Sequence, residues 1–355
     1  MGRSIIIFHP DIKTHHTNNE YTKKIYGLIE SKYRIESLEW FVRHPFNKNI
    51  HSLYLNWYEN TVGSERVHVQ KIQYILKILI LKIAKIRKIK VVYVVHNKTP
   101  HNISMTSDIY REAVKPFMNK ALNMSDVIVE LCKHTEDYLE SEYRIKGLHD
   151  KTVLVPHGKY TKYKCLTEKY RGKYKIDDNE FVCCFVGKMD KYKNVDIIIK
   201  AFYKSGIKAK LLLVGKCDEK YEGEITKLIK DDKVICDFTY VTDKEMSAIM
   251  QAVDAIILPY ENTSINSGIM INSFSNGTTV IGTDIEMLRD FPDDLSYSYS
   301  HDGKNHVHML TNALKKAYDD HQTGEYRKKG KELEKIVERN NNWDVVATRL
   351  FVAIE

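Results

Sequence analysis

Neither GxGxxG nor GxxxxGK[ST] occurs in this chain of 355 residues, which removes the main support for a dinucleotide oxidoreductase or a P-loop nucleotidase. Asp-x-Asp is also missing, and the histidines, among them His15, His16, His96 and His101, do not fall at metal-ligand spacings. No structural or catalytic metal is therefore expected, and the adjacent His15 and His16 read as solvated surface. The six cysteines (Cys132, Cys165, Cys183, Cys184, Cys217, Cys236) form no CxxC and read as reduced core thiols. No run approaches the roughly 20 clean apolar residues of a spanning helix, and the first apolar run, 4–8, is too short for a signal-peptide core. The expectation is a cytoplasmic, non-spanning protein. There is no solenoid period and no low-complexity tract, and the lysines do not interleave with aromatics as a nucleic-acid stacking surface requires.

What is present is globular in character. Hydrophobic residues make up 43% and charged residues 29%, enough for a sizeable core, and the length suggests two domains. The net charge of +8 is unevenly spread: residues 1–175 hold 31 Lys and Arg against 17 Asp and Glu, the remainder 24 against 30. A front half at +14 facing a back half at −6 points to an anionic partner for the front, such as lipid or phosphate.

Short runs rich in Val, Ile and Leu recur at 4–8, 33–37, 91–95, 126–129 and 152–155, then at 181–186, 210–214, 233–236, 255–258 and 279–281. Helix-length segments separate them. Continuous apolar runs of this kind suit strands buried on both faces of a parallel sheet, so the class is α/β, doubly wound. The rhythm breaks between Pro156 and Lys175, and we divide the chain into domains at 1–165 and 166–340. The remaining residues, 341–355, are expected to form a C-terminal helix that packs back on the first domain.

Ligands of doubly wound sheets sit where loops leave the carboxyl ends of strands. In the loop after 181–186, Gly187 allows close backbone approach and Lys188 and Lys193 supply two ammonium groups, which suits a phosphate or diphosphate. The plain alternative is a solvated lysine-rich loop. Ser267, Gly268 and Ile269 open an apolar helix and offer free amides to an anion, or a simple N-cap. The other loaded loops begin at His96, running through Lys98 to His101, and at Pro156-His157-Gly158.

FVGKMDKYKNVD at 185–196, LLLVG at 211–215, DAIILPY at 254–260 and GTTVI at 277–281 resemble, in order and spacing, the second domain of group 1 (GT4-like) glycosyltransferases of the GT-B fold. VVHNKTPH at 94–101 with VPHG at 155–158 resembles the front domain of a bacterial subset that builds surface polysaccharides. The resemblance implies two Rossmann-like domains facing across a cleft, and a metal-independent hexosyltransferase. It needs no cofactor beyond the nucleotide diphosphate sugar, with a UDP-sugar favoured and a GDP-sugar next. By the same resemblance Lys188, where the family usually has arginine, and Lys193 neutralise the donor diphosphate, and His96 faces the donor sugar. Gly187, Tyr240, Ser264, Ser267, Gly268, Ile269 and Asn272 line the donor site, with Tyr240 at the base and Asn272 at the ribose. Ser264 and Asn272 occupy the places of two family glutamates, so neither position offers a carboxylate. His9, Asp11 and His101 are the acceptor-side candidates, and Asp11 and Glu261 the candidate bases.

The expected reaction moves a hexose to a lipid-linked or polysaccharide acceptor in cell-surface polysaccharide synthesis. The alternatives are a nucleotide-sugar epimerase of the same fold and a non-catalytic sugar- or partner-binding protein. Residues 69–90 add a membrane expectation. On a helical wheel Ile72, Ile75, Leu76, Leu79, Ile83 and Ile86 share a stripe read as packing on the front sheet. Lys71, Lys77, Lys82, Lys85 and Lys88, with Ile78 and Leu81 among them, then face an anionic bilayer on the inner side of the membrane.

Overall fold

A computed structural model describes residues 3–12, 19–61, 66–100, 103–165, 167–260 and 264–355. His15, His16, His101 and Glu261 lie outside the described residues. The chain divides into two compact units, one of Met1–Gly158, Thr263–Asn266 and Trp343–Glu355, the other of Lys159–Asn262 and Ser267–Asn342.

Each unit is built on one six-stranded, all-parallel sheet. In the first, β1 (Ile5–His9), β2 (Arg34–Ser37), β3 (Ile50–Asn56), β4 (Lys90–Val95), β5 (Val127–Glu130) and β6 (Thr152–Leu154) are ordered β2-β1-β3-β4-β5-β6. In the second, β7 (Phe181–Val186), β8 (Ala209–Val214), β9 (Val234–Asp237), β10 (Ala255–Leu258), β11 (Thr279–Thr283) and β12 (Tyr297–Tyr299) are ordered β12-β11-β10-β7-β8-β9. The ten apolar runs all appear as strands. Two strands escaped that reading: β3, IHSLYLN, which mixes polar with apolar residues, and β12, whose three residues YSY are too few for a pattern.

The central strands are apolar on both faces because helices cover both. Every side chain of β7 is buried, and Phe181, Cys183 and Phe185 pack with Ile198, Ile199 and Phe202 of the Val195–Ser205 helix, Leu211 and Leu213 of β8, and Leu310 and Leu314. Each fully buried Leu, Ile or Phe contributes roughly 1.5–3 kcal/mol relative to exposure. The six cysteines form no disulfide; Cys132, Cys183 and Cys184 are core residues as expected, but Cys165, Cys217 and Cys236 are only half-buried.

The Val67–Ile86 helix corrects the sequence reading. Its buried residues are Gln70, Tyr74, Ile78, Leu81 and Ala84, whereas Ile72, Ile75, Leu76, Leu79, Ile83 and Ile86 are exposed. Lys77 is not a surface lysine either: its ammonium donates to the carbonyls of Tyr58 (2.6 Å) and Asn60. The wheel separated the two sets of apolar residues correctly and assigned them the wrong way round, while Lys71, Lys82, Lys85 and Lys88 are exposed as read. Periodicity cannot choose between two apolar faces, and the aromatic wall of Tyr58, Tyr74 and Phe117 decides it, with the Tyr74 and Phe117 rings stacked at 4.3 Å.

Candidate functional site

Both strand orders have a switch point, where neighbouring strands send their chains to opposite faces and leave a crevice at their carboxyl ends. In the second unit it lies between β7 and β10, in the first between β1 and β3. Gly187, Lys188, Lys193, Ser267, Gly268 and Ile269 follow the strands of the first of these places and His9 ends a strand of the second, whereas Tyr240 follows the edge strand β9; each unit is taken by itself.

In the second unit the register of β7 with β8 runs from Phe181↔Ala209 to Val186↔Val214, which sets Gly187 beside Gly215. Gly187 is left-handed (φ 123°) and its N–H donates to the Val214 carbonyl at 2.9 Å. A Cβ on Gly215 would collide with the Gly187 carbonyl, so glycine at 215 is what lets the chain leave β7 in this direction. Lys191–Lys193 form a single 3-10 turn ended by Asn194 at φ 54°, whose buried amide donates to the Pro259 carbonyl at 3.0 Å. That bond ties the loop after β7 to the loop after β10 across the switch point.

Two ammonium groups lie on this loop. Lys193 is half-buried and donates to the Lys188 carbonyl at 2.8 Å. Burial lowers its pKa from 10.5, against the pull of the Asp190 carboxylate and with the push of the Lys188 ammonium. Lys188 is exposed and ion-paired to Asp190 at 2.8 Å.

The loop adjoins a helix N-terminus: a Cβ on Gly187 would stand 3.9 Å from Ile269 Cδ1, in the first turn of the Gly268–Ser275 helix. Ser267 caps that helix, accepting from Met270 N–H at 3.1 Å, and its hydroxyl meets the hydroxyl of the half-buried Tyr260 at 2.8 Å. The Ser267 N–H donates to Met287 Sδ (3.4 Å), in the turn after β11, where Glu286 is a buried carboxylate that the sequence reading passed over. Glycine backbone, two lysines and a helix N-terminus thus converge, an arrangement suited to a diphosphate.

Asn272 lies one turn further along, buried, and its Oδ1 accepts from Asn276 Nδ2 at 2.8 Å, which leaves its own Nδ2 without a partner among the described residues. Tyr240 is exposed in the loop after β9, two residues before Thr242, which forms a capping box with Glu245.

In the first unit, His9 ends β1, Asn56 ends β3 and His96 follows β4. Asn56 links all three: its Nδ2 donates to the His9 carbonyl at 3.1 Å and its Oδ1 accepts from His96 Nε2 at 3.0 Å. Because the amide oxygen can only accept, Nε2 is the protonated nitrogen of His96. Trp57, a bulky residue held at φ 45°, stacks on His96 with ring centroids 3.8 Å apart. Sequence reasoning missed Asn56 and Trp57 because β3 itself went unseen. Asp11 lies two residues beyond His9. Ser264 pairs with Asn97 in a short antiparallel bridge, and Asn266 Nδ2 donates to the carbonyls of Val95 (3.2 Å) and His96 (3.0 Å), so Ser264 sits on the His96 loop. Tyr21 stands between two histidines, stacked on His157 at 4.3 Å and edge-on to His96 at 6.2 Å. His157 is buried, which pushes its pKa down to about 4, and its Nδ1 donates to the Gly158 carbonyl at 3.0 Å.

Residues 167–336 match the family model of glycosyl transferases group 1. No curated protein matches the chain. Among solved structures, it is similar to Anabaena Alr3699/HepE in complex with UDP and glucose (TM-score 0.69, 12% identity, 99% of this chain and 98% of that one). It is also similar to WaaG, a glycosyltransferase involved in lipopolysaccharide biosynthesis (0.66, 15%, 98% and 99%). A third likeness is to a glycosyltransferase from Rickettsia africae ESF-5 (0.62, 14%, 99% and 98%). The two parallel six-stranded sheets define the GT-B class. Within that class, the stretch of the second unit that is similar to the group 1 glycosyl transferases, residues 167–336, includes Lys188, Lys193 and the Ser267 cap.

Proposed function

We propose that this protein transfers a hexose from a nucleotide diphosphate sugar, a UDP-sugar first and a GDP-sugar next, to a lipid-linked or polysaccharide acceptor in cell-surface polysaccharide synthesis. The observation that carries the reading is the convergence of the 187–193 loop with the capped N-terminus of the Gly268–Ser275 helix at the β7/β10 switch point. The complex of HepE with UDP and glucose and the involvement of WaaG in lipopolysaccharide biosynthesis support the donor class and the pathway class.

In this reading the diphosphate lies over Gly187 and the amides of Gly268 and Ile269. Lys193 and Lys188 balance the charge that grows as the C1–oxygen bond breaks, with Asp190 giving up Lys188 to the phosphate. The bonding electron pair leaves with the diphosphate, an acceptor hydroxyl bonds to C1, and its proton passes to the departing phosphate oxygen. Position 264 is a serine, so no carboxylate is placed there to take it. His96, locked by Asn56 and Trp57, positions the donor sugar, and the unpartnered Nδ2 of Asn272 is a donor for a ribose hydroxyl. His9 and Asp11 face the acceptor side, Tyr240 the base.

The test is a panel of nucleotide sugars with and without glycan or lipid-linked acceptors, read by release of nucleoside diphosphate and by product mass. Acceptor-stimulated release supports transfer. An altered sugar still attached to nucleotide, with no acceptor dependence, means an epimerase, and binding without turnover means a non-catalytic protein.

A further inference from the structure

Ten large apolar side chains are strongly exposed among the described residues, and six of them, Ile72, Ile75, Leu76, Leu79, Ile83 and Ile86, lie on the Val67–Ile86 helix. At about 100° per residue they fall within an arc of about 100°. The opposite face is complete without them, with Tyr74, Ile78, Leu81 and Ala84 packed inside the unit. Exposure reaches 81% at Ile86, and beside that end of the helix Phe46 is 77% exposed with the Arg87 guanidinium over its ring at 5.6 Å. A contiguous aliphatic strip on a helix about 30 Å long is more than scattered surface hydrophobicity.

The charges around the strip choose its occupant. No acidic residue lies on the helix. Lys71 and Lys85 are paired with Glu112 and Asp126, and Lys77 is bound to backbone carbonyls, whereas Lys82 at the rim of the strip and Lys88 just past the helix have no acidic partner among the described residues. A second copy placed strip against strip would set these basic rims against each other with no acid on the helix to answer them. An anionic lipid surface answers them, and acyl chains need no shape complementarity from a convex row of Ile and Leu. The helix does not cross: none of the described helices is long and apolar enough to span a membrane.

We propose that this aliphatic face lies in the plane of an anionic bilayer, inserted at the headgroup–acyl boundary, and holds the protein peripherally on the membrane. The face is the one opposite to that suggested by the lysines and Leu81. The proposal stands apart from the transfer reaction, since vesicle binding is read without turnover.

The test is flotation of the full chain with vesicles containing phosphatidylglycerol, against vesicles of phosphatidylcholine alone, at low and high salt. Binding is expected on the anionic vesicles, weakened by salt and at least about fivefold lower on phosphatidylcholine. Ile75→Gln with Leu79→Gln should lower binding at least about tenfold at unchanged Tm, and Lys82→Gln about fivefold. As a check that does not depend on the double variant folding, the fluorescence that Leu79→Trp adds to that of the parent protein should be quenched by brominated acyl chains. Absence of binding at low salt, binding untouched by the double variant, or no quenching of the indole introduced by Leu79→Trp would overturn the proposal. So would a concentration-dependent dimer that the double variant dissolves in the absence of vesicle binding, which would make the occupant a second copy.

Discussion

Replacing Lys193 by methionine separates stability from chemistry. Its ammonium is half-buried, donates to one carbonyl at 2.8 Å, and has a pKa lowered from 10.5 chiefly by burial. For a base whose folded pKa is depressed, the unfolded chain binds more protons between the folded and unfolded values, so stability rises with pH across that interval. The charge is therefore tolerated by the resting fold rather than stabilising it, and methionine, unbranched and of similar length, should leave the unfolding midpoint unchanged or slightly raised. The diphosphate is where the charge counts. Charge-assisted hydrogen bonds are worth about 1.5–3 kcal/mol, so kcat/KM should fall by about 10- to 150-fold. Nucleoside diphosphate release, calorimetric titration with UDP, and chemical denaturation measure the three quantities. In the unmodified protein UDP affinity should weaken as pH rises through the depressed Lys193 pKa, and that dependence should vanish in Lys193→Met. A folded variant with full kcat/KM would refute the diphosphate assignment. Losses of stability and activity in step would make Lys193 a brace for the Lys188 carbonyl instead.

His96→Ala should lower kcat by about a hundredfold, as for a positioned polar group in a transition state, with the fold kept; a variant that loses stability and keeps kcat would make His96 a structural ligand of Asn56. On the Val67–Ile86 helix, Leu81→Ser should cost about 2–5 kcal/mol in denaturation, while Leu79→Ser should cost no more than about 1 kcal/mol; the reverse order would restore the face read from the sequence. His157 has its pKa pushed down to about 4 by burial, below the unfolded 6.5. The unfolded chain then binds the extra proton, so stability should be full above about pH 6.5 and fall toward pH 4 by up to roughly 1.4 kcal/mol per unit. His157→Phe, which keeps the stack on Tyr21, should flatten that loss in Tm measured across the interval.

Features that depend on local pattern were legible in the chain before any fold was known. Runs of Val, Ile and Leu such as FVCCFV must be buried on both faces, so ten of twelve strands, the parallel sheets and the loops at their carboxyl ends could be read directly. Gly187, Lys188, Lys193 and the Ser267 cap were visible for the same reason, since each belongs to a strand exit or a helix start. Tertiary structure alone decided what depends on partners far away in the chain. IHSLYLN is a central strand because β1 and β4 bury it, which no alternation announces, and with it came Asn56 and Trp57, the residues that hold His96. Asn272, identified by its position, has its carbonyl oxygen taken by Asn276. The two apolar faces of the Val67–Ile86 helix are equivalent to any periodicity, and only the rings of Tyr58, Tyr74 and Phe117 make one of them the inside. Burial is a property of the assembled neighbours, so a sequence can show that a helix has two faces while its surroundings choose which one meets solvent.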